Sequence, residues 1–427
     1  MRNLKIAAAL AAVCAGGSAY ALPPNATYDL SLVVAGASAQ RDTFRQEFTA
    51  ICQAATLNYY QASPTGNQDF KAYSCTLNTS GVPASIAGRN AIVYYRSEGG
   101  SVYGVGTLAK NIQVKRLVVD ANCTQVAPGT TNAHGNCPVA SYNLTTDAGT
   151  GNLVNSLVDL GVSDVEPSRF VGENWPAAGT SALGAQPTNT QFNAISSQTA
   201  TGTTFGIIVP AGLAVDDLSR QDINSIFTGQ YGTWDQVAAT NNTVDATGDI
   251  TVCRREPGSG TQVSASIYFN GQGCPAGYPF VTAPSGPLFE NPVVENGTSS
   301  SMSTCVSSRA GSIGIQTYTA TPPAGTKWVT INGQAPSKLA SALGDYDFWF
   351  ESTFNKDEVI AAKPLPLALA DYLISRARNA TTIPVNDSVF ALNNGGQNTP
   401  VIPVSTTRPI ALGTRSGNSC LPAQGVF

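Results

Sequence analysis

Three stretches of the sequence repeat one order: a short apolar run, a turn rich in Gly or Ser, and a helical pattern. The apolar runs cover residues 28–34, 91–95 and 250–252, and the turns after them cover residues 36–39, 97–101 and 258–261. Strands that alternate with helices are typical of α/β folds with parallel strands. Open sheets of that kind bind ligands at the carboxyl ends of their strands. The repeat therefore predicts an α/β fold whose three turns lie at one edge of a sheet.

The third turn has the residue types of an anion-binding site. Arg255 precedes it, and Ser259, Gly260 and Thr261 open the next helix. The first N–H groups of a helix lack intrahelical partners and carry the positive end of the helix dipole. Small residues let an anion approach the backbone, and a guanidinium is a permanently charged fork for oxyanions. An ordinary strand, turn and helix with a Ser or Thr cap is the alternative interpretation.

Composition excludes some classes of protein. The chain has 427 residues, 42% of them hydrophobic and 12% charged, which indicates a globular fold of two or three domains. A net charge of −4 argues against a nucleic-acid-binding protein.

The N-terminus is typical of a secretory signal. Arg2 and Lys5 precede an apolar run at 6–13, and Ala19 and Ala21 form a small-x-small cleavage site. We therefore expect residues 1–21 to be a signal peptide. No later run is long enough for a membrane span, so we expect no membrane insertion and a periplasmic or extracellular location.

Removal of Cys14 with the signal leaves eight cysteines, an even number that favours disulfide bonds in an exported chain. Pairing by sequence neighbours predicts four bridges: Cys52–Cys75, Cys123–Cys137, Cys253–Cys274 and Cys305–Cys420. The second bridge would staple a polar surface insertion at about 112–156. The chain has one histidine, His134, and no tight Cys-x-x-Cys pair, so we expect no metal site and no cofactor.

Several stretches, taken in order, resemble the periplasmic phosphate-binding proteins of bacterial ABC transporters. These stretches are the turns at 36–38 and 97–100, the run Asp-Leu-Gly-Val-Ser-Asp at 159–164, the helix carrying Ile223, Phe227, Thr228 and Gly229, Trp234, the Arg254-Arg255 pair, the turn at 258–261, and the strand at 311–315. The match covers most of the mature chain in pieces.

The resemblance implies a two-lobe (Venus flytrap) fold with hinge strands. Lobe I would comprise residues 22–204 and a return with a C-terminal tail at 345–427, and lobe II residues 205–344. The lobes would close on one inorganic phosphate, and an ABC transporter permease would be a possible partner. The implied ligands are Ser38, Ala39, Ser97 (with Ser101 as the alternative), Asp164, Arg255, Ser259, Gly260 and Thr261.

Asp164 is the expected specificity residue. At neutral pH phosphate carries a proton that a buried carboxylate can accept in a hydrogen bond, whereas sulfate carries none and would be repelled. The chain departs from the family pattern at Ala39, where a bulky residue is usual, and at Pro257, where an Asp usually orients the arginine. Glu256 could replace that Asp. We also expect Arg96 and Glu98 to form an ion pair at the rim.

Two other functions remain open at this stage. The chain could be a phosphatase, but no nucleophile has an evident base, so we expect a binding protein rather than an enzyme. It could also be an extracellular surface, matrix or secretion-linked protein with an altered ligand, which the polar insertion and Pro257 favour.

Overall fold

A computed structural model describes residues 22–63, 69–125, 134–274, 292–393, 398 and 405–425. The predicted signal peptide lies outside these residues. Within them the chain is a mixed α/β protein, as the sequence predicts. None of the helices in this part of the chain combines the length and the apolar character needed to cross a bilayer.

The strands are β1 (Leu30–Gly36), β2 (Asn58–Ser63), β3 (Phe70–Thr76), β4 (Asn90–Arg96), β5 (Val114–Leu117), β6 (Gly135–Asn143), β7 (Ala148–Gly151), β8 (Leu153–Ser156), β9 (Leu160–Ser163), β10 (Ser196–Pro210), β11 (Asp217–Leu218), β12 (Thr251–Arg255), β13 (Val293–Asn296), β14 (Ser312–Thr317), β15 (Thr326–Ile331), β16 (Trp349–Lys356), β17 (Val389–Ala391), β18 (Gly413–Thr414) and β19 (Gln424–Gly425). The α-helices are α1 (Arg41–Thr49), α2 (Tyr103–Lys110), α3 (Asn189–Asn193), α4 (Arg220–Phe227), α5 (Trp234–Ala238), α6 (Gly260–Asn270), α7 (Ser299–Ser307), α8 (Lys338–Leu343), α9 (Glu358–Ala361) and α10 (Pro364–Ala377).

The main sheet of the described chain has parallel strands in both of its halves. Its order is β13-β12-β14-β10-β16-β9-β1-β4-β3-β2-β6-β7, with β11, β15 and β17 attached beside this path. In one half β1 runs parallel to both β4 and β9. In the other half β12 runs parallel to both β13 and β14. The three predicted turns follow β1, β4 and β12, so two of them share one sheet edge and the third belongs to the other half.

Apolar residues explain why β1 and β12 lie inside the sheet. In β1, Leu32 and Val34 are fully buried and pack with Phe48 of α1 and Leu369 of α10. Continuous apolar runs of this kind are expected of parallel strands with both faces covered. The core around β12 is a separate cluster that includes residues of α4 and α6.

The long strand β10 joins the two halves. Its residues 196–204 pair with β16, and its residues 205–210 pair with β14 and β15. The change of partner falls at the boundary predicted near residue 204. The division into lobes with boundaries near 204 and 345 nevertheless stays a prediction.

The predicted insertion at 112–156 contributes strands rather than loops alone. It contains β5 to β8, and β6 extends the main sheet by pairing in parallel with β2. Exposed residues alternate with buried ones along the first half of β6, which is the pattern of a strand covered on one face. The expectation of a plain surface insertion therefore missed a continuation of the sheet.

Two of the four predicted disulfides are confirmed, and two are wrong. Cys52–Cys75 and Cys123–Cys137 form as expected. The other bridges are Cys253–Cys305 and Cys274–Cys420, not Cys253–Cys274 and Cys305–Cys420. Pairing by sequence neighbours failed because α7 packs on the sheet beside β12, which places Cys305 against Cys253. The second bridge ties the C-terminal tail to the end of α6.

We predict that the double variant Cys253→Ala/Cys305→Ala loses about 2–4 kcal/mol of unfolding free energy, because the bridge closes a loop with a sequence separation of 52 residues. Urea unfolding of the purified protein measures the loss. Proteolysis without reduction should yield a peptide pair joined through Cys253 and Cys305. A pair joined through Cys253 and Cys274 would contradict the structure.

Candidate functional site

The first turn lies beside the end of β9. Gly36 pairs in register with Val162, and the Ala37 N–H donates to the Val162 carbonyl at 2.8 Å. Gly36 has a φ of +132°, and a Cβ there would lie 1.8 Å from that carbonyl oxygen, so only glycine fits. Ser38 and Asp164 each follow this paired position by two residues. The two side chains therefore emerge at the same sheet edge.

The second and third turns touch each other across the halves of the sheet. The Val102 N–H donates to the Gly258 carbonyl at 2.9 Å. A Cβ on Gly100 would lie 3.3 Å from the Ser259 Cα. This contact brings the start of α6 to the turn that follows β4.

Asp164 is buried at this junction, with 2% of its surface exposed. The Ser101 hydroxyl donates to its Oδ2 at 3.4 Å, and a Cβ on Gly260 would lie 2.4 Å from the same oxygen. Its Oδ1 has no hydrogen-bond partner among the described residues. Burial raises the pKa of Asp164 to about 7, against the opposing effects of the Ser101 hydrogen bond and the Arg255 charge. The carboxyl thus keeps an unused acceptor in a dry site.

Arg255 is held by the loop that precedes α7. Its Nε donates to the Asn296 carbonyl at 3.0 Å, its Nη2 to the Gly297 carbonyl at 2.9 Å, and its Nη1 to the Ser299 hydroxyl at 3.0 Å. These neutral acceptors orient the guanidinium without neutralising it.

Glu256 was the expected orienting group. The ion pairs identified among the described residues do not include one between Glu256 and Arg255. The Glu256 charge still favours the protonated arginine, while burial, the larger effect, lowers the pKa of Arg255. The hydrogen-bonding role expected for Glu256 is thus filled by the 296–299 loop, whose Asn-Gly turn and Thr-Ser helix start were visible in the sequence.

A cavity of about 660 Å³, which we call the turn cavity, lies where these elements meet. Its walls combine the first turn and α1, the second turn, Arg255, the 297–300 segment, the end of β14 and the segment before β17. Four predicted ligands line it: Ser38, Ala39, Ser97 and Arg255. The other four, Asp164, Ser259, Gly260 and Thr261, do not line it and are buried. Ser101, the alternative to Ser97, is buried against Asp164 instead.

Asp69 and Arg41 are among the cavity residues that sequence reasoning missed. The Asp69 Oδ1 accepts hydrogen bonds from the Ser97 hydroxyl at 2.7 Å and from Arg41 Nη1 at 3.1 Å. Asp69 precedes β3, which pairs antiparallel with β4, so only the sheet brings it to Ser97. No local motif marks either residue.

The ion pair expected between Arg96 and Glu98 is wrong. Arg96 is buried, and its Nη1 donates to Asp147 Oδ1 at 2.6 Å while its Nη2 donates to the Tyr142 hydroxyl at 2.7 Å. Only the backbone carbonyl of Glu98 accepts from Arg96. The strands of the insertion therefore anchor the residue that precedes Ser97.

Four carboxyl groups influence the charge of Arg255, one of the arginines that line the turn cavity. The charges of Glu256, Asp69, Asp164 and Glu98 all act on Arg255. Burial raises the pKa of both Glu98 and Glu256 to about 7, as it does for Asp164. The local charge consequently becomes more negative as the pH rises through 7, which disfavours an anionic ligand. Among the described residues, no group of His, Cys, Asp and Glu side chains is arranged to hold a metal ion.

Comparison with known proteins finds likeness at the level of structure alone. No protein-family profile and no curated protein matches the chain. An ABC-type phosphate transport receptor from Vibrio cholerae is similar with a TM-score of 0.41 and 14% identity, over 81% of this chain and 93% of its own. A phosphate-binding protein from Stenotrophomonas maltophilia has a TM-score of 0.43 and 14% identity, over 84% of this chain and 87% of its own. Likeness at this level carries no conclusion about what this chain binds.

We predict that Asp164→Asn stabilises the unliganded protein at high pH. With a raised pKa the native state holds the Asp164 proton more tightly than the unfolded chain, so wild-type stability falls as the pH rises from about 4 to about 7 and stays low above that range. The amide avoids this loss, and the gain at about pH 8 should reach at most about 4 kcal/mol. Urea unfolding at about pH 4 and about pH 8 measures it.

The exposed Asp245→Asn is the matched control, because it makes the same chemical change away from the site. It should follow the wild type at both pH values. An Asp164→Asn variant that gains no stability between the two pH values, relative to this control, would contradict a buried, unsatisfied carboxyl.

Proposed function

We propose that this protein binds inorganic phosphate at the turn cavity. The observation that carries the proposal is that three Gly- and Ser-rich turns come together beside Arg255 and the buried carboxyl of Asp164. Ser38, Ser97 and Arg255 line the cavity, and Asp164 lies against Gly260 at the junction of the second and third turns. Hydroxyl groups, helix-start N–H groups and a guanidinium are the donors that tetrahedral oxyanions require.

Each group has a distinct part in the proposed site. Arg255 supplies the fixed positive charge, since its acceptors in the 296–299 loop are neutral. Ala39 before α1, and Gly260 and Thr261 at the start of α6, would offer backbone N–H groups once the halves close on the ligand. Ser259 would offer its hydroxyl, because its N–H already donates to the Glu256 carbonyl at 3.2 Å. Asp164 would accept a proton-bearing phosphate oxygen through its unused Oδ1. That acceptor discriminates against sulfate.

Binding, rather than turnover, agrees with the surroundings of the hydroxyl groups. A serine nucleophile needs an adjacent general base. The chain's one histidine, His134, packs against the Tyr59 ring and does not line the turn cavity. The Ser97 hydroxyl donates to Asp69, a contact that fixes the position of the hydroxyl.

Phosphate uptake is the physiological role that we propose for this binding. A protein exported to the periplasm would collect phosphate and deliver it to an ABC transporter permease. Cellular fractionation tests the location, because a protein found only in the culture medium could not reach an inner-membrane permease. The bridge Cys274–Cys420 suits an oxidising compartment.

We predict that the exported protein binds phosphate in isothermal titration and that Arg255→Lys weakens the binding by tens-fold or more. Lysine keeps the charge but loses the fork that makes several charge-assisted hydrogen bonds, each contributing roughly 1.5–3 kcal/mol. Arg309→Lys, at the other end of α7, is the matched control and should bind like the wild type.

Absence of heat at millimolar phosphate from a folded wild-type protein would overturn the proposed function. Equal weakening by both arginine variants would remove Arg255 from the site. Hydrolysis of a chromogenic phosphate ester, lost in Ser259→Ala, would instead favour an enzyme.

A further inference from the structure

We propose that Asp69 is a positioning residue that sets which protonation state of the oxyanion the turn cavity accepts. By holding the proton of the Ser97 hydroxyl, Asp69 converts Ser97 from a hydrogen-bond donor into an acceptor toward the ligand. The inference rests on the proposed function and names the form of phosphate that binds: the doubly protonated monoanion.

The geometry around Ser97 leaves little choice for its proton. The Ser97 N–H donates to the Asp69 carbonyl at 2.8 Å, which fixes the two residues side by side. The Ser97 Oγ lies 2.7 Å from Asp69 Oδ1 and 3.4 Å from the Asp69 carbonyl oxygen. A serine hydroxyl has one proton, and an ionised carboxylate can only accept. What Ser97 has left for a ligand in the cavity is therefore a lone pair.

Asp69 is itself held in place. Arg41 Nη1 donates to the same Oδ1 at 3.1 Å, and the side chains of Arg41 and Asp69 are 27% and 16% exposed. Both residues and Ser97 line the turn cavity. An ion pair that is mostly screened from water therefore holds the Asp69 carboxylate beside Ser97.

Charged groups from each neighbouring element act on Asp69. They are Arg41 from α1, Lys71 from β3, Glu98 from the second turn, and Arg255 and Glu256 from the end of β12. Positive and negative groups are both present, so the sign of the local charge alone does not decide which anion binds. The hydrogen-bond pattern does.

Two acceptors would then serve the oxyanion of the proposed site: the Ser97 Oγ, which lines the turn cavity, and the free Oδ1 of Asp164, which lies outside the cavity lining and would reach the ligand once the halves close. A doubly protonated phosphate supplies two O–H donors and satisfies both. The singly protonated dianion supplies one, and sulfate supplies none. Each acceptor that meets an acceptor on the ligand is left unpaired in a buried site, which is costly. The cavity should therefore prefer the monoanion over the dianion, and this preference should depend on Asp69, because one ligand proton would be enough if Ser97 were a donor.

The experiment is isothermal titration of the whole exported protein with phosphate and, separately, with sulfate between about pH 5.5 and about pH 8.5. Three proteins are compared: wild type, Asp69→Ala and Asp42→Ala. Asp42 also lines the cavity, and it contacts Arg45 rather than Ser97. Like Asp69→Ala, the Asp42→Ala variant frees an arginine and removes one negative charge. It keeps the hydrogen bond from the Ser97 hydroxyl to Asp69.

For the wild type we expect phosphate affinity to fall by up to about tenfold per pH unit as phosphate loses its second proton, and to fall more steeply than sulfate affinity. Sulfate keeps one protonation state in this range, so its slope reports the protein's own carboxyls. In Asp69→Ala the Ser97 proton becomes available to the ligand. The preference for phosphate over sulfate should then drop about tenfold or more. Phosphate affinity should also fall less steeply with pH, with a slope closer to that of sulfate affinity. If sulfate binding is measurable only in Asp69→Ala, that outcome also shows the expected loss of discrimination against sulfate.

Asp42→Ala should change both anions by similar factors and keep the ratio between them. The role of Asp69 would be overturned if the ratio of phosphate affinity to sulfate affinity were equal in Asp69→Ala and Asp42→Ala. It would also be overturned if phosphate and sulfate affinities of the wild type had equal pH slopes. Both outcomes would leave phosphate binding intact. The wild-type slopes decide the question even if Asp69→Ala does not fold. A folded wild type that binds no phosphate at any pH would overturn the proposed function and, with it, this inference.

Discussion

The packing of the Asp164 carboxyl against Gly260 is the contact on which the site depends. A side chain on residue 260 would overlap both Asp164 and Ser101, so glycine alone lets the start of α6 reach the ends of β4 and β9. The contact joins elements from both halves of the sheet, and it excludes water from a carboxyl whose second oxygen has no partner among the described residues. Such a group is retained at a cost in stability, which is common where a buried polar atom serves a ligand.

The electrostatics of the turn cavity follow from that burial. Arg255 is oriented by backbone carbonyls and a hydroxyl, so its charge is not consumed by a paired carboxylate. Four carboxyl groups nevertheless lie near enough to act on it. An anion can bind there only if hydrogen bonds to specific oxygens outweigh this background, which makes proton positions more important than net charge. The hydroxyl of Ser97 shows the effect, because its proton is already used by Asp69.

Local patterns were enough to predict much of the fold. The apolar runs at 28–34 and 91–95 and the capped helix α4 were recognisable because burial and capping leave a regular residue spacing. The bridges Cys52–Cys75 and Cys123–Cys137 join nearby residues and were predictable for that reason. The other two bridges span separations of 52 and 146 residues, and pairing neighbours in the sequence could not find them.

By itself, the sequence determined the three strand, turn and helix units and the residue types at their turns, because both depend on interactions between residues close along the chain. The tertiary structure alone decided which turns meet, that the 296–299 loop rather than Glu256 holds Arg255, and that Asp69 accepts the hydrogen bond of the Ser97 hydroxyl. The Asp69–Ser97 contact joins residues 28 positions apart, the Arg255–Ser299 contact joins residues 44 positions apart, and the contacts between the turns span still longer separations. Sheet pairing and helix packing bring them together, and no spacing in the sequence encodes a distance of that kind.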